Sequence, residues 1–173
     1  MSKIEIYLVR PAIPSDAAAL RELRLRALSS KPEAFGSDVS EDEAKPDSAW
    51  VERCTSTERS ALFLAVEHSS GALVGMTGIV HDGRVKTGHL GNIWGVFVAP
   101  EARGNHLGQK LIEAALAWGR ERGLRRVSLT VETGNAPAIS VYLKAGFTVY
   151  GVDREVLLVD GKFYDELLMA VWL

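Results

Sequence analysis

The sequence holds a single cysteine, Cys54, so no disulfide can form within the chain. It holds no apolar run approaching the roughly 18 residues that a membrane-spanning helix needs. Its opening residues, MSKIEIYLVR, lack the basic-then-apolar layout of a secretory signal. These absences make a cytoplasmic protein with no membrane partner the expectation. An excess of positive charge is missing too: 20 Lys and Arg stand against 22 Asp and Glu, a formal charge of −2. The pI is near 6.1. A general nucleic-acid binder would be basic, so no nucleic-acid partner is expected. The four histidines, His68, His81, His89 and His106, show no metal-ligand spacing, which argues against a metal. No Gly-Lys-Ser/Thr follows a glycine-rich turn, and no Gly-x-Gly-x-x-Gly occurs, so neither a P-loop nor the standard dinucleotide fingerprint is present. Cys54 has no patterned histidine partner and reads as structural. Internal repeats, low-complexity tracts and linkers are absent, leaving one domain over residues 4–173.

What is present is a regular alternation of elements. Ile4 to Val9 alternates and is rich in β-formers, so it reads as a strand. Ser15-Asp16 suits a helix start, and Leu20, Leu23, Leu25 and Leu28 carry helical spacing up to Ser29-Ser30. The stretch KPEAFGSDVSEDEAKPD, broken by Pro32, Gly36 and Pro46, reads as a long functional loop, with a second helix around Ser48 to Cys54. Ala61–Glu67 and Ala72–Val80 flank a polar Gly turn and read as an antiparallel hairpin. His89–Val98 is the next strand, and its Gly91 and Gly95 point to a bulge or a close backbone approach. After Gly104, Leu107, Leu111, Ile112, Ala115, Leu116 and Trp118 define a strong amphipathic helix stopped by Gly123. Arg125–Glu132 alternates as a strand, NAPAISVYLKAGF is a short helix, and the tail reads as two strands around Asp160-Gly161. The order β-α-α-β-β-β-α-β-α-β-β predicts an α/β domain.

The chemistry-bearing segment is VFVAPEARGNHLGQKL. A strand feeds a helix through a turn containing Arg103, Gly104, Asn105, His106, Leu107 and Gly108. A helix N-terminus offers unpaired N–H groups and about half a positive charge, which suits a phosphate. His106 stands where a glycine would be expected. A side chain there is tolerated if the local φ is negative and the ring turns toward solvent or a phosphate oxygen.

This segment resembles the acetyl-CoA-binding motif of the GNAT acetyltransferase superfamily, with Arg103 and Gly108 in place and His106 replacing the middle glycine. NAPAISVYLKAGF is similar to the family's second signature at Asn135, Ala138, Tyr142, Gly146 and Phe147. The PEAFGS loop and the tail DGKFYDELLM also look like family segments, so the resemblance covers nearly the whole chain. It implies a mixed, mostly antiparallel twisted sheet with a central parallel strand pair, flanked by about four helices. It implies acetyl-CoA as cosubstrate, bound at Val96, Phe97, Val98, Arg103, Gly104, Asn105, His106, Leu107, Gly108, Gln109, Asn135, Tyr142 and Lys144. In the family the turn's amides hold the pyrophosphate, the preceding strand pairs with the pantetheine arm, and a backbone N–H polarises the thioester carbonyl. Val96 is the candidate for that N–H. Tyr142 matches the general acid that protonates the leaving thiolate. Asn135 also reads as a helix N-cap, and Lys144 as a solvated lysine.

The proton acceptor stays open. An alkyl amine is only about one part in 10³ neutral at pH 7, so a carboxylate or water must take its proton. Relatives carry a glutamate where Thr130 stands. Glu132 follows on the same strand face, with Glu33, Asp165 and Glu166 as other candidates. Phe35, Trp94 and Glu33 are the expected acceptor contacts. The resemblance implies acetyl transfer to a primary amine, of a small molecule or a protein N-terminus, by direct attack in a ternary complex. The slightly acidic charge favours a cationic acceptor. A longer-chain N-acyltransferase and a non-catalytic CoA-binding sensor stand beside this reading, and the family implies a homodimer.

Overall fold

The computed structural model of the chain describes residues 6–173. Ile4, at the start of the expected first strand and domain, lies outside them. Among the described residues a seven-stranded sheet runs in the order β1-β2-β3-β4-β5-β7-β6. Its strands are β1 (Tyr7–Pro11), β2 (Ser60–Glu67), β3 (Leu73–His81), β4 (Leu90–Val98), β5 (Arg126–Glu132), β6 (Thr148–Val159) and β7 (Lys162–Trp172). Every neighbouring pair is antiparallel except β4–β5. The mixed sheet with a central parallel pair is the expected architecture.

Among the described residues five α-helices flank the sheet, one more than the expected number of about four: α1 (Ala17–Ser30), α2 (Val39–Glu43), α3 (Asp47–Arg53), α4 (Leu107–Glu121) and α5 (Ala136–Lys144). The addition is α2, a single turn inside what read as loop. The Asp38 carboxylate accepts the Ser40 N–H at 2.9 Å, and the Glu41 carboxylate accepts the Asp38 N–H at 3.2 Å. This reciprocal capping offsets the cost of starting so short a helix.

The helix α4 buries Leu107, Leu111, Ile112, Ala115, Leu116 and Trp118, the face that the periodicity marks. Each fully buried Leu or Ile contributes about 1.5–3 kcal/mol by its removal from water. Gly123, at φ 69°, ends the helix, and the Leu124 N–H bonds back to the Gly119 carbonyl at 3.0 Å. That is the glycine stop the sequence announces. The helix lies against one face of the sheet, with Leu111 close over Gly75 of β3. On the opposite face the Trp94 indole covers Gly78, where a β-carbon would come within 2.1 Å of it. Helix α1 packs on that face too. Its buried stripe is Leu20, Leu23, Arg24, Ala27 and Leu28. Leu25, expected in the stripe, is half-buried, and a charged residue takes the core position instead. Cys54 is buried as expected, and burial pushes its thiol up to about 11, which keeps it in the unreactive protonated form.

Two irregularities open the sheet. The pair β4–β5 is joined only over Leu90–Asn92 and Arg126–Ser128, although both strands continue. Strand β4 also carries an extra residue opposite β3: Met76 faces Phe97 and Gly78 faces Trp94. Gly95, at φ 66°, sits in this bulge. Its positive φ is a region that favours glycine. Beyond Asn92 the two parallel strands therefore separate.

Candidate active site

The gap between the separated strands is a cavity of about 490 Å³. One wall is β4 from Ile93 to Val98, and the other is Leu129, Thr130 and Val131 of β5. The turn before α4 closes one end with Arg103, Gly104, His106, Leu107, Gly108 and Gln109. Helix α5 adds Asn135, Tyr142 and Lys144, and the segment after α1 adds Lys31 and Phe35. Both sequence signatures, separated along the chain, thus meet at one opening. A more open depression of about 400 Å³ lies at the paired end of β4 and β5, beside His89, Arg126 and Trp172, and contains none of the motif residues.

Three expected site residues do not line the cavity. Asn105 turns its amide to the Ala102 and Arg103 carbonyls, at 3.0 and 3.3 Å, so it shapes the turn from behind. Glu132 is 9 % exposed and accepts the Gly134 N–H at 2.6 Å, fixing the entry to α5. Glu33 lies in the single 3-10 turn Pro32–Ala34, whose Ala34 reaches the cavity while Glu33 does not. Trp94 and Phe35 do line it.

The turn departs from the sequence expectation at His106, whose φ is +57° rather than negative. The residue keeps the left-handed backbone that a glycine would adopt, at a steric cost of about 1–2 kcal/mol for a β-carbon. Its exposed ring makes no cap hydrogen bond. Gly104 is also left-handed at φ 81°, and the Arg103 Nε donates to the Val98 carbonyl at 3.2 Å, tying turn to strand. Consecutive amides in such a turn form a concave anion seat. Lys31, Arg103 and Lys144 line the same cavity, adding charge of the right sign for phosphates. Asn135 caps α5, accepting the Ala138 N–H at 3.4 Å.

Tyr142 is 5 % exposed, and burial pushes its phenol up from its ordinary value. It stays protonated through the physiological range, so the O–H is a donor at the cavity wall. Of the other carboxyls, Asp165 accepts the Glu155 N–H at 2.8 Å. Glu166 is different. It stands opposite Glu132 and therefore diagonal to Thr130 on the same sheet face, within reach of a long side chain. Among the described residues it makes no ion pair, and the Thr130 hydroxyl is its hydrogen-bonding neighbour. Burial pushes this carboxyl up, the Thr130 hydroxyl draws it back, and the Asp153 charge raises it again.

Behind the β4 wall lies a buried charge cluster that the sequence reading missed. The Asp42 carboxylate, 0 % exposed, takes Arg24 at 2.9 Å, Arg53 at 3.1 Å and Lys45. Burial alone would raise Asp42, but these three cations outweigh it and hold the carboxyl well below the usual range. The Arg53 guanidinium also lies 4.7 Å from the Trp50 ring centre and 5.9 Å from that of Trp94. The available signal was Arg24 itself, four residues from both Leu20 and Leu28 on the apolar stripe of α1.

Residues 19–147 match the acetyltransferase (GNAT) family. Curated relatives include the mycothiol acetyltransferase of Amycolatopsis mediterranei, 33% identical over 84% of this chain and 47% of the relative. That of Saccharomonospora viridis is 34% identical over 89% and 49%. The chain thus spans about half the length of these relatives. Among solved structures, a GNAT-family acetyltransferase from Streptococcus pneumoniae superposes with a TM-score of 0.80 at 28% identity, covering 96% of this chain and 99% of that one. A Salmonella typhimurium protein solved with acetyl-CoA gives 0.79 at 20% identity over 98% and 95%, a likeness of fold. With both signatures converging on one cavity and the family match spanning most of its length, the chain belongs to the acetyltransferase (GNAT) family.

Proposed function

We propose that the chain transfers the acetyl group of acetyl-CoA to a primary amine, by direct attack in a ternary complex. The observation that carries this reading is the separation of β4 from β5 directly above the left-handed turn of α4. It leaves a strand edge, an anion seat and a buried phenol around one cavity. The amides of the Arg103–Gly108 turn hold the pyrophosphate, with Gln109 beside them and Lys144 at the mouth. The free edge of β4 at Phe97 and Val98 pairs with the pantetheine arm as an added strand would. The Val96 N–H donates to the thioester oxygen as it gains charge. Asn135 holds the start of α5 against the cofactor.

Tyr142 donates to the sulfur as the C–S bond breaks. A thiol titrates near 8.5 and a phenol near 10, so complete transfer from Tyr142 alone runs uphill. Its contribution is a hydrogen bond to developing thiolate charge, worth most in a water-poor site. The amine's proton leaves through the Thr130 hydroxyl toward Glu166, the half-buried carboxyl beside it. Trp94 and Phe35 form the acceptor's apolar walls. The relatives called mycothiol acetyltransferases support acetyl transfer.

The test is incubation with acetyl-CoA and a panel of amines, reading free thiol release and product mass. The reading requires CoA release that depends on one class of amine, with acetylated product in equal amount. Tight CoA binding with no turnover on any amine would make the chain a sensor. Turnover with octanoyl-CoA but not acetyl-CoA would make it a longer-chain acyltransferase. In a Tyr142→Phe variant kcat should fall by about 10²-fold while acetyl-CoA affinity holds. Unchanged kcat removes the role of Tyr142.

A further inference from the structure

We propose that Arg24 recognises the acceptor, and that the acceptor carries a carboxylate close to the amine that is acetylated. The proposal rests on the acetyl-transfer reading of the cavity. Its starting point is a buried charge with too few partners. Arg24 is 5 % exposed, yet the only hydrogen bond its guanidinium makes among the described residues runs from Nε to the Asp42 carboxylate. Nη1 is buried with no partner. Asp42 cannot neutralise the group, because Lys45 and Arg53 share the same carboxylate. Three cations face one anion, and a guanidinium cannot shed its proton to escape. A desolvated cation in this condition is costly unless an anion completes it.

The unsatisfied end points at the cavity wall. Nη1 lies 3.4 Å from where a β-carbon on Gly95 would be, and the guanidinium carbon lies 5.1 Å from the Phe35 ring centre. Gly95 and Phe35 both line the cavity, and Arg24 stands directly behind them. Asp42 holds the Nε side of the fork, which leaves Nη1 and Nη2 as the free donors. That pair matches the two oxygens of a carboxylate. Gly95 adjoins Val96, the proposed donor to the thioester oxygen, so a carboxylate on Arg24 and the reacting carbonyl would sit at neighbouring positions of β4. This adjacency fits an amino-carboxylate with a short spacer between amine and acid. Glu166, two strands away on β7, is remote from that carboxylate and free to receive the ammonium proton. The slightly acidic chain charge pointed to a cationic acceptor; the local charge behind β4 is the opposite.

The experiment measures kcat/KM for α- and β-amino acids and for their carboxamides, in wild type, Arg24→Lys and Arg24→Gln. Wild type should prefer the acid of each pair. The acid-to-amide ratio should fall at least tenfold in Arg24→Gln and less in Arg24→Lys. Comparing this ratio between wild type and variant cancels the different amine pKa values and any general loss of stability. A guanidinium that only clamps α1 to α2 would lower both members equally, and an unchanged ratio overturns the proposal. So does a wild type whose kcat/KM, referred to the neutral fraction of each amine, shows no preference for the acids, which needs no variant to fold. If no amine is acetylated at all, the acetyl-transfer reading fails. A separate readout then decides Arg24: the ¹⁵N guanidinium resonances of the CoA-bound protein, titrated with β-alanine and β-alaninamide. A saturable shift of the Arg24 signal with the acid alone supports recognition, and no shift up to millimolar acid overturns it.

Discussion

Replacing His106 by glycine should make the protein more stable, against the usual direction of a glycine substitution. His106 sits at φ 57° and ψ 20°, where a β-carbon meets the following carbonyl at a cost of about 1–2 kcal/mol. The exposed imidazole makes no cap bond that would be lost. Against the relief stands the greater freedom of glycine in the unfolded chain, about 0.4–1 kcal/mol. The balance lies between about 0 and 1.6 kcal/mol and centres on a gain of about 0.8 kcal/mol, or about 2–3 °C in Tm for a domain of this size. Thermal and urea unfolding of wild type, His106→Gly and His106→Ala separate the causes. Alanine keeps the β-carbon and should stay within about 0.5 kcal/mol of wild type. If alanine gains as much as glycine, ring crowding and not backbone conformation is the source. A glycine variant that melts lower would refute the left-handed assignment. The amide at position 106 survives both changes, so calorimetric acetyl-CoA affinity should move by no more than about threefold.

The remaining expectations concern charge. Glu166→Gln should lower kcat by about 10²-fold and remove the acid limb of the kcat–pH profile. That limb reports a carboxyl raised by burial and active only when ionised, so activity falls as pH drops through its value. An unaltered profile would show that the proton leaves by another route. Asp42→Asn should destabilise the fold by about 3–5 kcal/mol, because three cations lose their shared anion. Asp42 is depressed in the folded state, so its stabilisation is fully present above the unfolded value near 3.9 and fades as pH falls below it. Chemical unfolding at pH 7 and pH 3 should show the variant's deficit shrinking at the lower pH, and a constant deficit would contradict the linkage.

The boundaries of α4 and its buried face were legible because a long amphipathic period, a glycine stop and flanking arginines all agree. The α5 cap at Asn135 and the bulge at Gly95 were legible for the same reason: each depends on a residue type with local conformational meaning. The helix α2 was readable in principle from Asp38 and Glu41, but one capped turn is a weak signal among two prolines and a glycine. Glu132 misled because a carboxylate near a second signature has the same sequence whether it faces a cavity or folds back onto Gly134. Arg24 was passed over for the opposite reason, since a lone arginine in a helix usually keeps its head in water.

The sequence by itself determined the order of elements, the sheet's hydrophobic faces, the family resemblance and the turn that could seat a phosphate. All of these depend on neighbours within a few residues along the chain. Only the tertiary structure decided that β4 and β5 separate after three paired residues, and that His106 accepts a glycine's backbone. It also decided that Arg24 stands behind Gly95 with half its fork unbound. Those outcomes depend on which strand lies beside which and which carboxylate three cations must share. Such contacts join residues far apart in the chain, and local propensity carries no record of them.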